Sequence, residues 1–591
     1  MSDQLLSYYE RELAYIRQAL EGFGQHYPDH AGAMRLNQSG QEDPNISRLI
    51  DAVALLTAKT EKRIDEQFPE VLQDLFNVLY PGYLQIVPSY APFTLELEGD
   101  AGGEPLSLPK GAELAVKVNQ SECIFTLVDE LVVTPYDIDD IEASSAPFNF
   151  PTPASIRRAD AVIQLTMKSA DPSLLFSDKK QGHFDFYVRG FENSSRGLVD
   201  LLLLNTEALS LIDDSGQQVE IDISRLRSRV ADPDFNWLPQ YGNHLAGIDQ
   251  LRDYFSFPDK AAYLRIEELG QELMQFSTNK VTLNFFVQQL PTEYLRLFSR
   301  QVFALNTVPA INLFQQHGEP IRYDFSKLAM PVIAEVDNDS ELTVVSVETV
   351  NEVLPTGDIL LKPVYEGGYW LEQDRPKWQA RQQWDEKGRR QTKISISDTE
   401  LHQDKEDIVL SLLLNVCNGR LPCLIPSFSE AESLAAVDLP GTVRVLKTPT
   451  APQYPSLDNT LSWRFIALLN ANFSSLVQVD EPTRALQDAV RLCCNSVLCS
   501  VADAIKKVSY SHLVAPVTIG GQSIFSSGTA VTLLLDNELL DSEFAVVGEV
   551  LNAFFKQFCS FDRFIQVSIQ RFGSDEPGLD FDKCHGSQLC L

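Results

Sequence analysis

The chain has 591 residues, 44% of them hydrophobic and 22% charged, which is apolar enough for several cores and too apolar for a disordered polymer. Its 82 acidic residues against 48 Lys and Arg leave a formal charge of −34, which argues against nucleic acid and anionic lipid as partners. There is no basic-then-apolar leader after Met1, no run of about 18 apolar residues, and an odd set of nine scattered cysteines, a pattern that predicts a cytoplasmic protein with reduced thiols.

Residues 1–88 read as a helical region. Leu5, Tyr9, Leu13, Ile16, Leu20 and Phe23 recur every three or four positions and so share one helical face. Gly22, Gly24 and the stretch HYPDH end that helix. A second helix starts at Asp43-Pro44, an N-cap acid followed by proline at the first helical position, and is predicted to run to Phe68. Pro69 is read as the start of a third helix that ends before Pro81. On the second helix Ile46, Leu49, Ile50, Val53, Leu56, Thr57, Thr60, Ile64 and Phe68 fall within an arc of roughly 120°. Leu55 lies on the far side with Ala52 and Ala58. A helix resting on one core should be polar there, so either a second neighbour approaches or Leu55 is a lone exposed leucine.

From residue 89 the texture becomes β-like. FTLELEGD, ELAVKVN, CIFTLVDELVV, VIQLTMK, FDFYVRGF, VDLLLLN and QQVEIDIS alternate between Gly, Pro, Asn and Asp punctuation, as in a sandwich or barrel. YLRIEELGQELMQF reads as an inserted helix, so residues 89–330 are expected to form a β-rich domain interrupted once. Residues 331–455 are expected to form a second β-rich domain. Between Leu328 and Leu361 it carries seven acids and no base, a solvated face or a docking face for a basic partner. Residues 456–591 read as a C-terminal α+β domain. Leu486, Val490, Cys494, Val497, Val501, Ile505 and Val508 have helical spacing there, Gly520-Gly521 marks a hairpin, and EFAVVGEVLNAFFKQFC is an amphipathic helix before a strand at RFIQVSIQR. The fold class is therefore α+β multidomain: a helical N-terminal region, a β-rich sandwich-like middle and a C-terminal α+β domain.

Motifs for chemistry are missing. There is no G-x-G-x-x-G, Walker loop, G-x-S-x-G or H-E-x-x-H. Cys493, Cys494 and Cys499 sit in an apolar helical pattern and read as small core residues, while Cys584, His585 and Cys590 fall one donor short of a zinc set. DIDDIE, from Asp137 to Glu142, lacks the glycine and bidentate glutamate of a calcium loop and reads as a solvated turn. No metal, cofactor or catalytic residue is assigned, and the chain is read as a non-enzyme. One segment stands out: between Gly368 and Lys393 lie Trp370, Trp378 and Trp384, three of the five tryptophans, with Arg375, Arg381, Arg389 and Arg390 around a hairpin-like WDEKGRR. Trp and Arg are common interface anchors, but they can equally cover a sheet edge and pair with nearby acids. Interface candidates are thus Leu5, Tyr9, Leu13 and Ile16 on the first helix, Leu49, Val53, Leu55 and Leu56 on the second, and Trp370, Trp378, Arg381 and Trp384.

LLSYYERELAYIRQALEGFGQHYPDHAGAM and EDPNISRLIDAVALLTAKTEKRIDEQFPEVLQDLFNVLYPGYLQIVPS resemble the opening of the TssF (VasA, ImpG) family of type VI secretion baseplate subunits. LRDYFSFPDKAAYLRIEEL, FALNTVPAINLFQQHGEPI, LLLNVCNGRLPCLIPS and SGTAVTLLLDNELLDSEFAVVGEVLNAFFKQFCSFDRFIQVSI carry the resemblance onward in the same order, leaving only the tail after Arg571 unmatched. The resemblance implies a structural wedge subunit of a contractile, phage-tail-like injector, assembled at the cytoplasmic side of the inner membrane. It implies TssG as a partner through a shared helical bundle, a second TssF copy and TssK, with TssE and the VgrG spike further out. The competing reading from the residues alone is a soluble, acidic, β-rich carbohydrate-active enzyme, which needs two carboxyl groups about 5–9.5 Å apart in a cleft.

Overall fold

The computed structural model describes residues 2–27, 44–97, 106–178, 182–191, 195–242, 244–335, 342–365, 376–384, 390–397, 407–435, 437, 439–455, 459–471, 476, 480–494, 499–519, 522–540, 542–559, 563–574 and 578–585. Helix α1 spans Ser2–His26 and packs on helix α2, Pro44–Leu79. The break expected at Pro69 is absent: α2 is one helix of 36 residues, about 54 Å long at ~1.5 Å per residue. A proline removes one hydrogen bond and favours a bend, but a long ladder anchored on both sides survives that loss. The chain turns only at Pro81, which opens the 3₁₀ turn Pro81–Leu84.

The β-rich middle is built from several sheets. A closed barrel takes Tyr90–Leu97, Thr307–Ile311, Ser121–Leu127, Glu113–Val118, Glu430–Ser433 and Gly441–Val445 in that order. Its strands alternate inward and outward, and Phe93 and Phe125 fill the interior with ring centroids 5.2 Å apart. The Glu113–Val118 and Ser121–Leu127 strands join through a two-residue turn in which Asn119 has φ 54°, a conformation asparagine tolerates. The barrel draws strands from both sides of residue 330, because β-pairing joins segments far apart in sequence while texture reports only local composition.

A five-stranded sheet, ordered Gln218–Ile221, Thr206–Asp213, Lys280–Val287, Ala161–Ser169 and Tyr136–Ser145, lies beside a four-stranded one. DIDDIE is part of its edge strand and not a turn: Ile138 and Ile141 are buried on either side of a bulge, and Asp139 points out to Lys168 and Lys280. VDLLLLN is not a strand. It belongs to helix α3, Ser195–Asn205, in which Leu198, Val199 and Leu202 are buried and its other leucines half-buried. A short run apolar on every side has no period to distinguish helix from strand. YLRIEELGQELMQF divides into a strand, Tyr263–Ile266, and a single helical turn, Leu269–Leu273.

Helix α4, Ala246–Ser256, connects these sheets to the C-terminal region. There α5 (Asn459–Leu469), α6 (Pro482–Cys494) and α7 (Phe544–Gln557) pack beside a sheet ordered Ile505–Ile519, Gln522–Leu535, Phe564–Arg571 and Leu579–Asp580. Gln522–Leu535 and Phe564–Arg571 run parallel, and α7 is the crossover that parallel pairing requires. The predicted long helix stops short: Ile505 and Val508 belong to a strand, where β-branched residues pack well on a pleated surface. Gly247 of α4 lies against α7 so closely that an added Cβ would sit 2.7 Å from the Gln557 Cβ. The largest core cluster contains residues from α2, the middle sheets and α5 to α7.

Candidate interaction surface

The two ends of α2 have opposite surroundings. In the N-terminal half the contact face for α1 is small: Ala54 and Ala58 are fully buried, letting the helices approach closely. Tyr9 of α1 bonds Asp51 of α2, and its phenol is held above the usual range by partial desolvation and then by that carboxylate. Leu13 and Ile16 are half-buried. The apolar arc read from the sequence points away from α1. Leu49 is 66% exposed, Leu56 65%, Val53 46% and, on the flank, Leu55 39%. Val71 and Val78 continue this exposed stripe down the helix, which at 3.6 residues per turn brings Val71 over Val53 after five turns.

The C-terminal half is rooted in the body. Leu72 and Phe76 are buried, and Phe76 stacks on Tyr83 at 4.4 Å, which stacks in turn on Phe465 of α5 at 4.3 Å. Tyr80 donates to the Asp249 carboxylate of α4, and the Arg252 guanidinium lies 5.2 Å from the Tyr80 ring and 5.4 Å from that of Tyr83. Burial raises the pKa of both Tyr80 and Asp249. Deeper still, Lys260 and Asp253 form an ion pair with both side chains inaccessible, and Asp253 also accepts from the backbone N–H of Trp237 and Leu238. The desolvation cost of burying two charges largely offsets their attraction, so such a pair adds little net stability, whereas removing one partner is strongly destabilising.

The tryptophan-arginine segment forms the antiparallel strands Lys377–Trp384 and Arg390–Ser397. Trp378 is 8% exposed and donates its indole N–H to the Leu361 carbonyl at 2.9 Å, so it covers a sheet edge within the chain. Arg381 grips Asp74 of α2 through Nη2 at 2.7 Å and Nε at 3.2 Å. Asp74 also accepts from Gln379 and from Tyr365, whose phenol is pushed up by burial and next by Asp74 itself. Gln73, one residue earlier, uses its carboxamide as a strand neighbour would: it donates to the Gln382 carbonyl at 3.0 Å and accepts from the Gln382 N–H at 3.2 Å. Arg390 closes the joint by donating to the Leu84 carbonyl at 2.6 Å, with its pKa lowered to about 10 by burial. Gln73 and Asp74 escaped sequence reasoning because a polar pair on a helix has no signature until its partners, some 300 positions away, are known. Trp370 and the side chains of Leu5 and Trp384 lie outside the described residues.

Beside this joint is a cleft of about 970 Å³, walled by α2, the Tyr241-Gly242 turn, strand Thr343–Glu352 and the hairpin. Among the described residues its lining contains a single carboxylate, Glu348, so those residues assemble no acid pair there of the kind that glycoside hydrolysis requires. Among the described residues no group of three or more His, Cys, Asp and Glu is arranged to hold a metal, and no helix is long and apolar enough to cross a membrane. Cys493 and Cys499 are buried, and burial pushes the Cys493 thiol up to about 12.

The family model for the type VI secretion system protein TssF matches residues 1–588, which carries the match through the tail that sequence reading left unmatched. The type VI secretion system component TssF1 of Pseudomonas aeruginosa is 22% identical, over 96% of this chain and 97% of that protein. A chain in a cryo-electron microscopy structure of a TssK-TssF-TssG baseplate subcomplex superposes with a TM-score of 0.71 at 18% identity, over 92% of this chain and 99% of that one. A chain from a type VI baseplate complex gives 0.57 at 18% identity, over 99% and 100%.

Proposed function

We propose, from the premise that this chain belongs to the TssF family of the type VI secretion system, that it is a structural wedge subunit whose N-terminal helices enter a bundle shared with TssG. The observation that carries this reading is the exposed stripe Leu49, Val53, Leu56 on the side of α2 that α1 leaves open. An amphipathic helix with its apolar face in water is a docking element for another helix. Leu55 extends the stripe toward a second neighbour, and the Tyr9, Leu13 and Ile16 side of α1 fixes its angle. Trp378 and Arg381 serve the same interface indirectly, by holding α2 at its root. The similarity to a chain of a TssK-TssF-TssG subcomplex supports TssG and TssK as the immediate partners. A second copy of the chain, TssE and the VgrG spike are more distant expectations, reached through the assembled wedge beneath the inner membrane.

The test is co-expression with TssG and TssK, read as complex mass by light scattering. Leu49→Asp with Leu56→Asp should abolish TssG co-purification while the chain stays soluble and folded. Undiminished TssG binding by the double variant would refute the bundle.

A further inference from the structure

In strand Lys377–Trp384, alternate residues turn their peptide groups away from Arg390–Ser397. The outward set is Trp378, Ala380 and Gln382. The Trp378 N–H donates to the Lys362 carbonyl at 3.1 Å, and its carbonyl accepts from the Val364 N–H at 2.9 Å. At Gln382 both groups are taken by the Gln73 carboxamide. Ala380, between them, presents the same pair to the cleft, half-buried, and neither group meets a partner among the described residues. An unpaired peptide group at a strand edge is a template for another amide, and Gln73 shows two residues away which chemistry fits: a planar amide that gives one N–H and takes one.

The walls define the rest of the ligand. Val78, Val364 and Trp378 are apolar, the Asn77 and Gln379 amides are engaged with Tyr365, Gln379 also donating to Asp74, and Glu348 is the one formal charge among the described lining residues. Glu348 is exposed at its strand and not held in an ion pair among the described residues; its recorded partner is the neutral Asn415 amide at 2.8 Å. The Ala380 peptide edge suits a main chain, the apolar patch accepts an aliphatic side chain, and an exposed carboxylate in an acidic protein selects a cation. We propose that the cleft receives an extended segment of a partner polypeptide, its main chain bridging Ala380 and a lysine or arginine pairing with Glu348. The identity of the supplier rests on the baseplate reading; the slot itself goes beyond it.

The experiment places a benzophenone-bearing phenylalanine at Val364 of the full chain and irradiates the complex purified with TssG and TssK. The expected crosslink maps to a non-helical stretch of TssG or TssK that contains Lys or Arg. Ala380→Pro removes the outward N–H without touching the hairpin ladder, and should lower crosslink yield and affinity by about 3- to 10-fold with an unchanged melting temperature. Glu348→Lys should weaken binding at least as much, with a difference that shrinks as salt is raised. A complex that forms normally but crosslinks only within this chain, residues 366–375 included, overturns the cleft and spares the baseplate reading. Binding indifferent to both substitutions does the same. Failure of the unmodified chain to bind TssG or TssK overturns both.

Discussion

The first and last thirds of α2 are one helix with two fates. Near Leu49, Val53 and Leu56 the apolar side chains face water and the buried residues are alanines. Near Leu72 and Phe76 the large apolar side chains are buried, and the flanking Gln73 and Asp74 are bound by the hairpin. The contrast teaches that amphipathicity alone does not locate a core. Five turns separate Ala54 from Leu72 and Ala58 from Phe76, so one buried face runs along α2, lined by alanines under α1 and by large side chains in the body, while the stripe through Leu49, Val53, Leu56 and Val71 stays outside it. Rooting the second end lets the first be held out at a defined angle.

The largest effect that would break this comparison is at the root. Phe76→Ala should cost about 3–5 kcal/mol in denaturant unfolding, because it removes a buried ring stacked on Tyr83. Leu56→Ala in the same helix should change stability by no more than about 0.5 kcal/mol, and a similar loss at both sites would mean the stripe is already covered. Next is the pH response. Burial raises the folded-state pKa of Asp249, so once pH passes the ordinary carboxylate range, near ~4, the unfolded chain ionises first and stability falls as pH rises. Asp249→Asn, which keeps an acceptor for Tyr80, should make the fall of melting temperature above the ordinary carboxylate range shallower, leaving the part that the buried Asp200 and Glu549 carboxyls contribute, while the Leu56 variant keeps the wild-type slope. The smallest effect sharpens the description of the joint: a double-mutant cycle on Asp74→Ala and Arg381→Ala should give a coupling of about 0.5–1 kcal/mol, the range for a partly exposed bidentate pair.

Much of the architecture could be read residue by residue. The periodicity of α2, the barrel strands Tyr90–Leu97, Glu113–Val118 and Ser121–Leu127 and the helix at Phe544–Gln557 announced themselves, because each buries one face and its repeat matches its geometry, whereas the barrel strand Thr307–Ile311 lies in a proline-dense stretch that reads as an irregular connection. The misreadings share a cause. VDLLLLN, the Ile505–Val508 stretch and Pro69 were each decided by neighbours distant in sequence, which override weak local preferences. The interface candidates divided in the same way. Leu49 and Leu56 were visible as a stripe, whereas the engagement of Arg381 by Asp74 and of Gln382 by Gln73 was invisible, since nothing near positions 73 and 74 marks their partners.

By itself the amino-acid order determined that this is an acidic, multi-core protein with a long two-sided helix and no recognisable catalytic motif, because composition and period are local properties. Only the tertiary structure decided which side of that helix the described residues leave exposed, where the tryptophan-arginine hairpin is anchored, and that the Ala380 peptide group meets no partner among the described residues. Those are outcomes of long-range packing and pairing, which depend on the geometry that brings residues together and not on their spacing along the chain.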